Sequence, residues 1–91
     1  MSSSKKDSLR ALIEGIIPGD IAELGTLSGD NVLVAARIPN PRGVIRYALA
    51  VMRYGVVAGE WVRFPSPDAA ATDAATMLEA ATRLAAEGGA K

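Results

Sequence analysis

The stretch NPRGVIRYALAVMRYG, residues 40–55, fits two secondary structures that lead to different proteins. As a helix, Asn40 caps it, Pro41 takes the first position and Gly55 stops it. Arg46 and Arg53, like Tyr47 and Tyr54, then lie seven residues apart on one side, with Val44, Ala48 and Val51 on another. As a strand, it is a β-branched and aromatic run. Ile45, Tyr47, Leu49 and Val51 point one way, and Arg46, Ala48, Ala50 and Met52 the other. Periodicity alone does not separate the two, so the flanking segments must.

On the N-terminal side, NVLVAARI (31–38) has Val32, Val34 and Ile38 on one parity and Asn31, Leu33, Ala35 and Arg37 on the other. This predicts a strand whose inner face carries the β-branched residues. On the C-terminal side, GEWVRF (59–64) predicts a strand with Val62 and Phe64 on one face and Trp61 and Arg63 on the other. Between two strands, residues 43–54 are most simply a third. The favoured fold is therefore α+β: a three-stranded antiparallel meander over 31–38, 43–54 and 56–64. Its expected inner face is Val32, Val34, Ile38, Ile45, Leu49, Val51, Val62 and Phe64. Its expected outer face carries Arg37, Arg46, Trp61 and Arg63 around Ala35, Ala48 and Ala50.

Helices frame the meander. In DSLRALIEGIIPG (7–19), Leu9, Leu12, Ile13 and Ile16 form one apolar stripe, with Asp7 as cap and Pro18-Gly19 as stop. SPDAAATDAATMLEAATRLAAEGG (66–89) predicts a long C-terminal helix over about 67–87. Ser66 caps it, Pro67 takes its first position and Gly88 stops it. Ala70, Ala74, Met77, Leu78, Ala81, Leu84 and Ala85 make its apolar face, and Glu79 and Arg83 form a favourable i, i+4 pair. The segment between helix and first strand, DIAELGTLSGD (20–30), is ambiguous: it has room for one short turn of helix at 20–24, and Ser28-Gly29-Asp30 reads as a turn. Residues 1–7 read as a mobile arm, 8–88 as a single domain and 89–91 as a tail.

Ninety-one residues form one small domain, marginal on its own, with an alanine- and arginine-rich style of the kind found in high-GC genomes and their phages. There is no cysteine and no histidine. That excludes disulfides, thiolate metal sites, cysteine nucleophiles and the commonest general base. No Gly-rich phosphate loop is present, so neither an enzyme nor a cofactor site is expected. MSSSKKDS (1–8) lacks the apolar core of a signal peptide, and no run approaches the length of a membrane span. The expected location is cytoplasmic.

The net charge is zero but segmented. Residues 1–30 carry three cations against five anions, and residues 66–91 two against four. Residues 31–65 carry five cations, all arginine, against Glu60 alone. Arg37, Arg42, Arg46, Arg53 and Arg63 are accompanied there by Tyr47, Tyr54 and Trp61. Guanidinium forks match phosphate and guanine edges, and aromatics stack on bases. The central third is thus a candidate nucleic-acid surface, with DNA favoured over RNA. It uses Arg37, Arg42, Arg46, Arg53 and Arg63 with Tyr47 or Trp61. Against this stands the plainer reading that exposed arginines keep a protein soluble. Apolar residues on both parities of 32–62 also exceed what one helix covers, which points to a homodimer or a protein partner.

AARIPNPRGVIRYAL (35–49) followed by GVVAGEWVRF (55–64) resembles the helix-turn-helix and wing of bacterial winged-helix regulators. That resemblance implies a recognition helix over 41–54 bearing Arg42, Arg46 and Tyr47, with Glu60–Arg63 on the wing. Pro39-Asn40 stands where that motif has a glycine and an apolar residue, and DIAELGTLSGDNV (20–32) resembles the motif in an overlapping register. The sheet-plus-helix plan is in turn similar to three-stranded DNA-binding domains of the integrase-arm and AP2 type. Both likenesses imply DNA binding, and the winged-helix one a regulatory role; they differ on whether 41–54 is helix or strand.

Overall fold

The structure, a computed structural model, describes residues 2–39, 42, 43 and 45–89, with side chains from residue 5 to 86 except at 40, 41, 44 and 45. Its elements are α1 (Ser2–Glu14), β1 (Ile21–Thr26), β2 (Asn31–Pro39), β3 (Ile45–Arg53), β4 (Val56–Val57), β5 (Val62–Phe64) and α2 (Pro67–Gly89). The strands form one antiparallel sheet in the order β1-β2-β3-β4, with β5 also on β3. Both helices pack against each other and lie on one face of it.

Residues 45–53 are therefore strand, and the helical reading of 41–54 is not adopted. The expected cap and first position, Asn40 and Pro41, lie outside the described residues. What fixes the strand is its neighbour. β3 pairs β2 over nine consecutive residue pairs, from Asn31 opposite Arg53 to Pro39 opposite Ile45. At the other end, Tyr54 and Gly55 both have positive φ, 54° and 78°. They make the two-residue turn whose twist matches paired strands, so the chain folds straight back into β4.

Three expectations about the sheet need correction. Residues 21–26 are an edge strand, not a turn of helix. A single helical turn fixes several dihedrals for one hydrogen bond, whereas β2 offers this segment a ready ladder. The third meander strand is split into β4 and β5. The break follows Ala58, whose N–H still reaches the Val51 carbonyl at 2.7 Å, and includes Gly59 at φ 105°.

The third correction matters most: β2 is turned over. Directly opposed residues of antiparallel strands share a face. Leu33 opposes Val51, Ala35 opposes Leu49 and Arg37 opposes Tyr47, so these β2 residues face the helices. Val32, Val34 and Ile38, expected inside, face away with Met52, Ala50 and Arg46. The β3 and β5 residues lie on the expected sides where described: Tyr47 opposes Phe64 and Leu49 opposes Val62 on the helix side, and Arg63 opposes Ala48 on the other, but Val62, at 56% exposed, is not part of the core. The side chain of Ile45 lies outside the described residues.

The core joins Leu9, Ile13 and Ile16 of α1, Leu33 and Ala35 of β2, Leu49 of β3, and Ala70, Ala71, Ala74, Ala75 and Leu78 of α2. Ile13 and Leu33 have no exposure, and burying such a side chain fully is worth about 1.5–3 kcal/mol. The alanines bring α2 close to the sheet, as expected, but the covered stripe ends near Leu78. Leu84 and Ala85, expected to extend it, are exposed, because 23 residues of helix outrun the sheet beneath. At its start, Ser66 Oγ accepts the Ala69 N–H at 3.2 Å, the predicted cap. α1 begins at Ser2 rather than at the Asp7 cap, and α2 passes through Gly88 to Gly89. Lys6 and Arg10 meet Asp68 at 3.2 and 3.7 Å, tying α1 to the first turn of α2. Exposed pairs of this kind add little stability.

Candidate binding surface

The molecule is a slab, 51 × 31 × 16 Å across its principal axes, with helices on one side only. The other side of the sheet is the candidate surface. The strand register assigns its residues row by row. At the centre, Val34 opposes Ala50 and Ala36 opposes Ala48. Along the β1 edge lie Ile21, opposite Ala36, and Glu23, opposite Val34. On the far edge Arg63 opposes Ala48, with the half-buried Trp61 just before the strand begins. Arg46, opposite Ile38, closes one end; Val32, Met52 and Val57 close the other.

Val34 is 1% exposed and Ala48 0%, yet neither belongs to the core cluster under the helices. Each sits in the middle of the sheet with paired strands on both sides, Val34 between Glu23 and Ala50 and Ala48 between Ala36 and Arg63. Small residues flanked by long cationic ones give a sunken apolar floor with charged margins. Among the described residues Arg46, Arg63 and Glu23 have no ion-pair or side-chain hydrogen-bond partner. Glu23 and Arg63 sit on outer strands with two strands between them. That is about 14 Å, too far to pair within one chain.

The five arginines do not form one patch. Arg46 and Arg63 share the helix-free face, and Arg42 is exposed in the adjoining turn between β2 and β3. Arg37 points the other way. Its Nη1 donates to the Ile16 carbonyl at 3.2 Å, and its guanidinium lies 5.9 Å from the Tyr47 ring centre. Its Nε is buried without a hydrogen-bond partner. Arg37 thus serves the last carbonyls after α1, where a cation is favoured, and Tyr47 packs on the core beside it. Arg53 sits at the opposite end of β3, 5.3 Å from the ring centre of Tyr54. Tyr54 in turn donates to Asp30 Oδ2 at 2.7 Å.

Of the residues picked out in the sequence, Arg46 and Arg63 belong to this surface, with Arg42 on its margin; Trp61 stands just before β5, outside the paired residues. Arg37 and Tyr47 are structural, and Arg53 is remote. The sequence reading missed Ile21, Glu23, Val34 and Ala36. The signal was available in the pairing rule: once Leu49 and Phe64 are inward, the register of a nine-residue hairpin dictates which β2 parity faces out. No group of three or more acidic side chains suited to a metal ion occurs among the described residues. No helix among them is long and apolar enough to cross a membrane. Neither a family model, nor a curated protein, nor a solved structure matches this chain.

Proposed function

We propose that this chain is a protein-interaction module whose working surface is the helix-free face of its sheet. The observation that carries the reading is the distribution of charge on that face. Its centre, Val34, Ala36, Ala48 and Ala50, is apolar, and its margins bear both signs, Glu23 on one edge, Arg63 on the other and Arg46 at one end. A floor depleted of charge with a polar rim is the anatomy of a protein interface. A phosphate-binding surface needs several cations in register, and here Arg37 is committed to the α1 end and Arg53 lies at the far end of β3. The cysteine-free composition fits a module working in the cytoplasm.

Nucleic-acid binding, DNA before RNA, is the second reading, favoured by Arg46 and Arg63 on one face with Arg42 beside them and Trp61 next to β5 in the chain. Titration of a labelled duplex and a labelled single strand at two ionic strengths separates the two, with Ala36→Lys as a companion variant. A protein-docking face gives no salt-sensitive binding, and a lysine at its centre does not create any. Binding that weakens steeply with salt, tightens in Ala36→Lys and is lost in Arg46→Ala and Arg63→Ala would overturn the first reading.

A further inference from the structure

Resting on that reading, we infer that the occupant of the helix-free face is a second copy of this chain, packed face to face about a two-fold axis parallel to the strands. The two margins of the face carry opposite unpaired charge, Glu23 on β1 and Arg63 on β5, and neither reaches the other within one chain. A two-fold axis along the strands sets the β1 edge of one protomer over the β5 edge of its partner. It does so twice, by symmetry. Glu23 and the opposing Arg63 are then one row apart, about 7 Å along the strand and about 10 Å between the sheets, a gap of about 12 Å that the two extended side chains span together. A two-fold axis across the strands would set β1 over β1 and leave like charges together.

The rest of the face fits the same arrangement. Sheets packed face to face in near-aligned fashion interdigitate side chains that stand above a common floor; here Ile21, Val32, Met52 and Val57 stand exposed or half-buried around the covered Val34, Ala36, Ala48 and Ala50. Nine residues of β2 and β3 with an edge strand on either side give a patch about 30 Å by about 19 Å. Two such patches bury on the order of 1,200 Å², the lower end of specific interfaces. Edge-to-edge pairing is the alternative route to a dimer, and the fold blunts both edges. β1 has a bulge between Glu23 and Gly25, and the opposite edge is interrupted between β4 and β5. The pairing also brings the two β2–β3 hairpin ends, each with its Arg42, to the same end of the dimer.

Charge exchange in the full chain tests this by sedimentation equilibrium from about 10 µM to about 1 mM, a range that brackets the affinity of a small interface. The wild type is expected as a dimer. Glu23→Arg and Arg63→Glu each weaken it at least about tenfold, since each sets like charges against one another twice. An equimolar mixture of the two variants restores the dimer, because every arginine then faces a glutamate; so does the double variant. Circular dichroism melts confirm that both single variants are folded. A wild type that stays monomeric throughout overturns the inference, as does a dimer that neither exchange weakens or that the mixture fails to restore. None of these outcomes touches the protein-docking reading, which falls instead on salt-sensitive oligonucleotide binding.

Discussion

Replacing Gly25 by alanine decides, by the sign of its effect, whether the edge strand is seated on α2 as described. Gly25 lies at the β1 bulge, opposite Leu33 and facing the helices. A Cβ built there falls 2.8 Å from Leu78 Cδ2 and 3.4 Å from its Cδ1. Carbon contacts settle near 3.5–4.0 Å, so the new methyl is short of room by roughly 0.7–1.2 Å. Leu78 is buried in the core and cannot swing into solvent. Overpacking of this kind costs about 1–3 kcal/mol. Gly25 is not among the positive-φ glycines, so without the clash alanine would stabilise by about 0.4–1 kcal/mol through the unfolded chain. The net expectation is a loss of about 1–2 kcal/mol, or about 5–15 °C in Tm for a domain of this size. Urea unfolding followed by the fluorescence of the single tryptophan, at fixed protein concentration, measures it. Leu78→Ala alone should cost about 2–5 kcal/mol, and the double variant less than the sum, because the added methyl enters the vacated space. An unchanged or raised midpoint for Gly25→Ala, or strict additivity in the double variant, refutes the contact between β1 and α2.

Arg37→Met should lower stability by about 1 kcal/mol, by removing the donor to the Ile16 carbonyl and the contact with Tyr47, and should leave self-association and oligonucleotide binding untouched. A change in either binding assay without a change in the urea midpoint would contradict its structural placement. Tyr54→Val should cost about 1–2 kcal/mol, since it removes the hydroxyl that donates to Asp30 and a β-branched residue fits φ 54° more poorly than tyrosine. Tyr54→Asn also loses the bond to Asp30 but should cost less than the valine variant, asparagine being the preferred partner of glycine in such a turn. Equal effects from the two substitutions would rule out the left-handed turn.

How far the fold was legible follows from particular residues. Ser66, Pro67 and the alanine stripe announce α2 because capping and amphipathic spacing are local properties, and the Ser66 cap forms as read. Leu9, Ile13 and Ile16 likewise mark the buried side of α1. β5 is legible because Val62 and Phe64 leave no alternative inner face for so short a run. β1 was not legible. Its six residues, Ile-Ala-Glu-Leu-Gly-Thr, lack both β-branched density and regular alternation, and the bulge breaks their period. Only the presence of β2 alongside makes that segment a strand.

The sequence by itself determined the α+β class, the helices and the basic central third, since composition, caps and periodicity act within a few residues. Tertiary structure decided which way each arginine points. A hairpin is paired as a unit, so one register turns every second side chain of β2 to the opposite face, whatever its own chemistry prefers. That pairing sends Arg37 to the end of α1 and keeps Arg46 with Arg63. It also leaves Val34 and Ala36 on the open side. With both faces of β2 apolar, local pattern carried no preference strong enough to reveal it, and the contacts that break the tie are more than ten residues away in the chain.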